Sequence, residues 1–534
     1  AASSSQRRIS VLAGHAPGWV QSTLLPEKLD GSDGDFNVHR SGAHPETLTR
    51  GWETPGWEGE DTVGKTVVRA TQEYADGNFL GKRTTLADGS AGPYEFMTYA
   101  EVGGAGGRIA SGLLKTGLLT AGDMVGLYSI NCREWVLLEM GVTRNGMVSV
   151  PLYDTLGPET VTYIANHAEL KAVGCSLASW PTLAKSLSGC PTVKLVIIFA
   201  GPESASAIEG TSRAPCKVMT LTEVERLGAS SPKMVADGAG PDSLFTLCYT
   251  SGTTGNPKGA AISHGGIIAN ACAMTHDVKL LSTDVHISYL PLAHIMERAI
   301  MVSGVHHGMS VGFYRGDVNV LLEDIQALGP TIFVSVPRLW NRIYDKVQAG
   351  LREGSIVARK MFEVAYAAKR KALSENREAP AFWEKVVFSK LKAKLGGNVR
   401  ILISGSAPLS GEVLEFLRVC FGGPRGYVVE GYGMTETSCC ITRSQLGDFT
   451  VGHVGPPVPC CEVKLMDVAE MNYTTKDSPY PRGEICCRGP VVFKGYYKNE
   501  EQTREMIDAD GWLHTGDIGL WLPTGDLKII DRKK

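Results

Sequence analysis

No long hydrophobic run is present in the sequence. Among its 534 residues, no apolar stretch approaches the roughly 18 to 20 residues that a membrane-spanning helix needs. The longest apolar stretch, at 193–200, has the length of a buried strand. The sequence therefore predicts no transmembrane helix, and its length favours roughly two to four domains or subdomains.

An excess of either charge is also absent. The chain has 53 Lys and Arg against 56 Asp and Glu, a net charge of −3, which argues against a protein that coats nucleic acid. Hydrophobic residues make up 43% and charged residues 20%, as in a folded globular protein rather than a disordered chain. We therefore predict a folded protein with no nucleic-acid partner.

The 13 cysteines contain no C-x-x-C spacing. Adjacent pairs occur at 439–440, 460–461 and 486–487, and neighbouring side chains on a strand point to opposite faces, so such a pair cannot easily bind one tetrahedral metal. We predict free thiols in a reducing compartment. Cys248 is interpreted as strand packing, and His306 with His307 as structural.

The first 45 residues are rich in Ser, Gly and Asp and show little periodicity. They contain Arg8-Ile9 followed by His15-Ala16, a spacing that resembles the bipartite N-terminal import signal of peroxisomal proteins. Residues 1–45 are therefore predicted to be a flexible leader, and the location peroxisomal. The alternative is a chance match, with a cytoplasmic or peripheral-membrane location.

Helices and short apolar strands alternate from about residue 93 onward. Strands are predicted at 124–129, 148–152, 193–199 and 244–249, and this alternation is typical of parallel α/β sheets. A capping box at Thr98 and Glu101 predicts a helix start, so the glycines at 103–107 are interpreted as helix packing.

After residue 448 the texture changes to short alternating segments broken by Gly and Pro. This predicts α/β subdomains at 46–447 followed by a β-rich subdomain at 448–529.

Residues 350–397 form a basic helical stretch with 11 Lys and Arg against 5 Asp and Glu. Its large apolar residues are Phe362, Tyr366, Trp383, Val387 and Leu391. One interpretation is a solvated helix face; the other is a surface that meets anionic lipid or the phosphates of a bulky cofactor.

The strongest local motif is YTSGTTGNPKG at 249–259, directly after a predicted strand. Glycines let backbone amides approach an anion, hydroxyl groups add donors, and Lys258 supplies positive charge. A Walker A loop is excluded because Lys258 lies between Pro257 and Gly259 instead of opening a helix. The motif predicts phosphate binding.

Further motifs follow in a fixed order: LPLAH at 290–294, SGSAPL at 404–409, EGYGMTET at 430–437, GWLHTGD at 511–517 and DRKK at 531–534. Together with the phosphate loop, they resemble the adenylate-forming superfamily of acyl-CoA synthetases, luciferases and peptide-synthetase adenylation domains. EGYGMTET and the segment PRGEIC…GYY, at 481–497, are most similar to long-chain acyl-CoA synthetases, particularly the plant-type peroxisomal branch. The resemblance extends over about residues 45–534.

This resemblance implies an α/β fold: a large adenylate-forming domain of layered αβαβα sheets plus a small distorted β-barrel subdomain. It also implies a two-step ligase. A long-chain fatty carboxylate attacks the α-phosphate of ATP with Mg²⁺, which yields an acyl-adenylate, and the thiol of coenzyme A then displaces AMP. Attack of one anion on another requires charge neutralisation and in-line positioning. The predicted partners are a long-chain fatty acid, ATP or AMP, coenzyme A and, at the periphery, a membrane surface.

The resemblance also assigns roles to individual residues. Lys258 neutralises the departing pyrophosphate, Thr435 donates to the α-phosphate, Glu436 binds Mg²⁺, and His294 lies where the fatty carboxylate enters; these four are the catalytic candidates. The nucleotide-binding candidates are Thr250, Ser251, Gly252, Thr253, Thr254, Gly255, Lys258, Gly405, Ser406, Ala407, Glu430, Gly431, Tyr432, Gly433, Thr435, Asp517 and Arg532.

Within that set, the loop at 250–258 surrounds the β- and γ-phosphates. Tyr432 stacks on adenine, with 405–407 as the opposite wall, and Asp517 with Arg532 binds the ribose hydroxyls.

In the family, a C-terminal domain follows the hinge that this sequence reaches at 530–534. The sequence ends at Lys534, so we expect substrate binding with impaired turnover. Two alternatives are an adenylate-forming enzyme for another carboxylic acid and a catalytically silent acyl- or nucleotide-binding protein.

Overall fold

The computed structural model describes residues 22–24, 38–43, 46–201, 205–236, 238–250 and 255–533. The predicted import signal at 8–16 and residues 251–254 of the phosphate loop lie outside the described residues.

Fifteen α-helices occur in the described part of the chain. In chain order they are α1 Val63–Glu73, α2 Tyr99–Lys115, α3 Arg133–Arg144, α4 Pro158–His167, α5 Trp180–Ser186, α6 Leu221–Gly228, α7 His264–Thr275, α8 Ile295–His306, α9 Leu321–Leu328, α10 Pro337–Glu353, α11 Ile356–Ser374, α12 Ala381–Trp383, α13 Ser389–Lys392, α14 Gly411–Cys420 and α15 Glu500–Met506. Within the described ranges, no helix combines the length and the apolar character needed to cross a bilayer.

The strands form three sheets. In chain order they are β1 Ser22–Leu24, β2 His39–Ser41, β3 Asn78–Thr85, β4 Ala91–Thr98, β5 Met124–Tyr128, β6 Val148–Leu152, β7 Ala172–Ser176, β8 Leu195–Phe199, β9 Lys217–Thr220, β10 Leu244–Thr250, β11 Lys258–Ser263, β12 Val285–Ser288, β13 Ser310–Phe313, β14 Ile332–Ser335, β15 Ile401–Ser404, β16 Val428–Tyr432, β17 Thr442–Arg443, β18 Glu462–Met466, β19 Arg482–Arg488, β20 Leu513–Trp521 and β21 Leu527–Arg532.

The first sheet has seven strands in the order β11-β10-β6-β5-β7-β8-β9. All its pairs are parallel except β10 with β11, which are joined as an antiparallel hairpin. The four strands predicted from apolar runs are β5, β6, β8 and β10, and they lie together in this sheet. The prediction of parallel α/β sheets is confirmed.

The second sheet has eight strands in the order β17-β16-β15-β14-β12-β13-β3-β4. Its centre, from β16 to β3, is parallel, and an antiparallel strand closes each edge. The carboxyl ends of β14, β15 and β16 therefore meet at one edge, where open α/β sheets bind their ligands.

The third sheet is antiparallel and has six strands in the order β1-β2-β18-β19-β20-β21. Within the described ranges its two end strands do not pair with each other, so the expected distorted barrel is an open sheet. The strands β2 and β20 are separated in this sheet by β18 and β19, yet His39 of β2 stacks on Trp521 of β20 with ring centroids 3.9 Å apart. The sheet is therefore strongly curved.

Two segments of the predicted leader belong to this third sheet. β1 and β2 lie within residues 1–45, and β2 pairs with β18 through His39 and Val463. Their backbone groups complete the edge of the β-rich region, so this region begins earlier in the chain than residue 448. Its boundary as a separate subdomain stays a prediction.

The glycines of α2 serve helix packing. The capping box at Thr98 and Glu101 is present, and the helix starts at Tyr99 as expected. A Cβ added to Gly103 would lie 2.8 Å from the Cβ of Thr71 in α1, closer than real Cβ contacts allow. The helices approach closely here because no side chain separates them.

The remaining structural interpretations agree with the geometry. All 13 cysteines are free thiols, and burial raises the pKa of Cys248. The ring of His306 stacks on Trp57 with centroids 3.5 Å apart, and its Nδ1 lies 3.1 Å from a carboxylate oxygen of Glu60.

Candidate active site

A cavity of about 510 Å³ lies at the carboxyl ends of the second sheet's central strands. Its walls come from the loops that follow β15 and β16 and from the two strands of the β10–β11 hairpin. Thr250 and Lys258 face each other in register across that hairpin. The described ends of the phosphate motif thus lie on two paired strands, and Lys258 begins a strand and not a helix, which agrees with the exclusion of a Walker A loop.

Most of the predicted site residues line this one cavity. They come from five separate motifs and are Thr250, Lys258, His294, Gly405, Ser406, Gly431, Tyr432, Gly433, Thr435, Glu436 and Arg532. Residues 251–254 lie outside the described residues, and Gly255, Ala407 and Asp517 are not among the lining residues. The structure therefore brings together segments that are more than two hundred residues apart in the sequence.

Glu430 lies beside the cavity, not in its wall. Its neighbours on β16, Val429 and Gly431, line the cavity, and alternate side chains on a strand face opposite ways. The Glu430 carboxylate accepts a 3.3 Å hydrogen bond from the backbone N–H of Leu409, and burial raises its pKa to about 7. Its contact supports the loop at 404–409, so it is a positioning residue.

Tyr432 and Asp517 are directly connected. The Tyr432 hydroxyl donates a 2.8 Å hydrogen bond to Oδ2 of Asp517, and Nε of Arg532 lies 3.5 Å from Oδ1 of the same carboxylate. Asp517 and Arg532 are paired across β20 and β21, which sets their separation. Three residues from three motifs are therefore connected, and Asp517 links Tyr432 and Arg532, which line the cavity, from just behind its wall.

A tyrosine outside the candidate set connects Lys258 with Glu436. The Tyr496 hydroxyl donates a 2.6 Å hydrogen bond to Oε1 of Glu436, and Nζ of Lys258 lies 5.3 Å from the Tyr496 ring centroid. Tyr496 belongs to the GYY segment used for the resemblance, but spacing alone carried no sign of this contact.

Backbone geometry at the two glycine motifs is demanding. A Cβ at Gly433 would lie 1.7 Å from the carbonyl oxygen of Cys439, so only glycine fits there. Ser406 has φ of +70°, a left-handed conformation that is uncommon for a residue other than glycine. Such strained residues cluster at functional sites, where the surrounding structure enforces them.

His294 stands where the polar and apolar parts of the cavity meet. It caps α8, and its Nδ1 accepts a 3.2 Å hydrogen bond from the N–H of Met296. Burial lowers its pKa, so the imidazole is neutral at physiological pH. The next turn of α8 adds Ile300 to the apolar wall.

The other end of the cavity is lined by aliphatic side chains. One face of β15 and β16 contributes Ile401, Ile403 and Val429, whereas Leu402 faces the opposite way into a core cluster. The apolar wall also includes Met274, Val278, Leu280, Ile300, Met309 and Ile332. Because β15 begins at Ile401 and ends at Ser404, the cavity extends from the strand ends back along the sheet.

The family described as "AMP-binding enzyme" matches residues 76–497, which include all but the last two of the site motifs. The chain belongs to this family. The motifs resemble the adenylate-forming superfamily, and the match to this family confirms that resemblance.

Similar proteins narrow the assignment. The chain is 48% identical over 518 residues to the peroxisomal long chain acyl-CoA synthetase 7 of Arabidopsis thaliana, covering 96% of this chain and 72% of that protein. It is 41% identical over 459 residues to the human long-chain-fatty-acid–CoA ligase 1, covering 83% of this chain and 63% of the ligase. Within the AMP-binding family, this chain is therefore of the long-chain acyl-CoA synthetase type.

Solved structures share its fold. The adenylation domain of a carboxylate reductase from Mycobacterium chelonae superposes with a TM-score of 0.72 at 26% identity, covering 88% of this chain and 71% of that one. This agreement confirms the mixed α/β fold of adenylate-forming enzymes.

Proposed function

We propose that the chain activates long-chain fatty acids with ATP as acyl-adenylates and transfers the acyl group to coenzyme A. One observation carries this proposal: a single cavity joins a polar end, which contains Lys258, Thr435 and Glu436, to an aliphatic end along β15 and β16. A nucleotide fits the first part and a hydrocarbon chain the second. The similarity to named long-chain acyl-CoA synthetases supports the same assignment.

At the polar end, the residues neutralise and orient phosphate. Lys258 supplies a positive charge beside the phosphate loop, and the Thr435 hydroxyl faces the same cavity. Preorganised donors of this kind stabilise charge that develops in the transition state. Tyr432, held by Asp517 at 2.8 Å, presents its ring as a wall for adenine.

Glu436 fits a role as Mg²⁺ ligand. Its Oε1 is held by Tyr496, and within the described residues its Oε2 accepts no hydrogen bond. Mg²⁺ prefers oxygen ligands and usually keeps several waters and substrate phosphates in its shell. Glu436 would hold this ion, which would neutralise phosphate charge; the chain's own part is to fix the carboxylate through Tyr496.

At the junction, His294 would orient the fatty carboxylate toward the nucleotide. The neutral imidazole carries no charge that would bind the carboxylate too tightly, and its Nε2 is free to face the cavity within the described structure. The carboxylate itself is the nucleophile, so no enzyme thiol or hydroxyl is needed.

At the aliphatic end, burial of the chain provides the preference for long acids. Each buried methylene contributes about 0.8 kcal/mol, so a dozen contribute on the order of 10 kcal/mol. Acetate or an amino acid would leave this wall unfilled.

The proposal also includes a peroxisomal location for the protein. It is supported by Arg8-Ile9 with His15-Ala16 and by the peroxisomal relatives from Arabidopsis. A fluorescent fusion of the chain should co-localise with a peroxisomal marker, and R8A/H15A should disperse it into the cytosol. Retention of R8A/H15A in peroxisomes would show that another signal is used.

A bisubstrate analogue tests both ends of the cavity at once. Palmitoyl sulfamoyl-adenosine should bind far more tightly than either sulfamoyl-adenosine or palmitate, as measured by isothermal titration calorimetry. Palmitate-dependent exchange of pyrophosphate into ATP, measured throughout on a chain that continues past the hinge at 530–534, tests the chemistry. Exchange with an amino acid, or analogue binding that does not depend on the acyl chain, would contradict the proposal.

A further inference from the structure

Helix α11 has two apolar faces. Its inner face packs Ala365 and Leu373 into a core cluster, with Phe362 and Tyr366 partly buried against the same cluster. The helix spans Ile356–Ser374, and it needs only this one face to attach it to the protein. The apolar residues that the sequence offered as a lipid-binding surface thus point inward, because the hydrophobic core has recruited them.

The outer face carries a second apolar stripe. Ile356 and Val357 are each 70% exposed, and Val364 is 54% exposed. With about 100° between successive helix residues, these three fall within an arc of about 100°. Single exposed apolar side chains are ordinary, whereas three on one stripe of one helix mark an interaction site.

Two lysines lie within the same arc. Lys360 lies between Val357 and Val364 along the helix, and Lys371 lies beyond Val364; both lysines are exposed. In the part of the chain that the structure describes, Lys360 pairs with the exposed Glu363 alone, at 3.0 Å on the protein surface. The outer face therefore combines aliphatic side chains with positive charge, which is the composition of helices that lie in a membrane interface.

We infer that the outer face of α11, formed by Ile356, Val357, Lys360, Val364 and Lys371, docks on the surface of an anionic lipid bilayer. The aliphatic side chains enter the acyl boundary and the lysines contact lipid phosphates. A second copy of the chain is a poorer occupant, because a symmetric contact would bring the same lysines together.

The inference rests on the proposed function, because that function gives the chain a reason to dock on a membrane. Long-chain fatty acids partition into bilayers for the same reason that they fill an aliphatic cavity, so an enzyme at the surface meets its substrate at high local concentration. The docking itself is a property of α11 and does not require turnover.

Vesicle flotation tests the inference. The wild-type chain should float with vesicles of phosphatidylcholine and phosphatidylserine and bind pure phosphatidylcholine vesicles more weakly. I356S/V357S/V364S should lower the affinity for the mixed vesicles by roughly 100-fold, because three apolar side chains no longer enter the bilayer. K360Q/K371Q should weaken binding about 5-fold per lysine, on anionic vesicles alone.

L86S/V235S/V318S is the matched control, since its three residues are 47%, 62% and 55% exposed elsewhere on the protein. This control should float like the wild type. The inference is overturned if the wild type ignores both vesicles, if the α11 triple variant floats like the control, or if that variant instead changes the oligomeric state in size-exclusion chromatography.

Palmitate-dependent pyrophosphate exchange, measured without vesicles, separates this inference from the proposed function. The α11 triple variant should retain the wild-type rate, because its residues do not line the cavity. Vesicle binding without any palmitate-dependent exchange would contradict the proposed function and leave the docking surface intact.

Discussion

The two ends of the cavity are built on different principles. The polar end, where the nucleotide is proposed to bind, consists almost entirely of residues from motifs with fixed spacings, such as EGYGMTET and GWLHTGD. The aliphatic end, where the acyl chain is proposed to bind, is lined by apolar residues that share no motif and come from α7, α8, β14, β15 and β16. Phosphate chemistry requires particular donors at particular places, whereas an apolar wall needs only side chains of suitable shape.

This difference predicts separate consequences for substitutions at each end. A change at the polar end should lower the rate for every fatty acid, and a change at the apolar end should alter which fatty acid is used. Four experiments test that contrast.

The largest effect is expected from K258A at the polar end. Loss of the charge beside the phosphate loop should reduce palmitate-dependent exchange by about 10²- to 10³-fold, as for removal of other preorganised groups. The same factor should hold for octanoate and laurate. K494A is the matched control, because Lys494 pairs with Asp242 at 2.7 Å and does not line the cavity. A chain-length-dependent loss in K258A would break the contrast.

The second effect is expected from tryptophans at the apolar end. I403W should reduce exchange with palmitate by roughly 100-fold while retaining octanoate, because several methylenes lose their space at about 0.8 kcal/mol each. I401W lies about 6.6 Å further along β15 and should retain acids of intermediate length as well. ATP affinity should be unchanged in both variants. Identical acyl profiles for the two variants and the wild type would place the hydrocarbon chain elsewhere.

The third effect concerns stability beside the cavity, where Glu430 supports the loop at 404–409. Burial raises the pKa of Glu430 to about 7, so the folded protein holds this proton more tightly than the unfolded chain does. The resulting stabilisation is fully present below the unfolded pKa of about 4.5, and it is lost as the pH rises through about 7. E430Q stays neutral at every pH.

The melting temperature of E430Q should therefore match that of the wild type near pH 5 and exceed it near pH 8, by a stability difference on the order of 2 kcal/mol. E505Q, at an exposed position, should show no such pH-dependent gap. A gap that is constant across this range would mean that Glu430 does not change its protonation state there.

The smallest effect is expected from Y496F. Removal of the hydroxyl that donates to Glu436 should cost about 1 kcal/mol, or roughly 5-fold in the exchange rate, and raise the Mg²⁺ concentration needed for half-maximal activity. Y497F is the matched control, since Tyr497 packs against His167 and does not line the cavity. Equal Mg²⁺ dependence in both variants would remove Tyr496 from the ion site.

Local sequence signals predicted much of the fold. Four strands of the seven-stranded sheet and the start of α2 were found because apolar runs and a capping box are short-range patterns. The strands β1 and β2 were missed because each has three residues, and their stability comes from pairing with a strand more than four hundred residues away. No local pattern reports such a partner.

The candidate site was predicted less evenly. Lys258, Tyr432, Glu436 and Arg532 meet in one cavity as their motifs implied, whereas Glu430 faces away from it. Residue type and spacing cannot tell which face of β16 a side chain takes when every neighbour is also a plausible ligand. Tyr496 was quoted as part of a motif but received no role, because its contact with Glu436 arises only in three dimensions.

The amino-acid order alone was enough to predict the chemistry proposed for this protein: binding of phosphate, magnesium and ribose each requires particular side chains, and the sequence contains those residue types in recognisable motifs. Only the tertiary structure decided the shape of the acyl pocket and the face of α11 that remains exposed. Hydrophobic association is non-directional, so any apolar residue can serve in a core, a cavity wall or a surface stripe, and its place depends on what the rest of the chain packs against it.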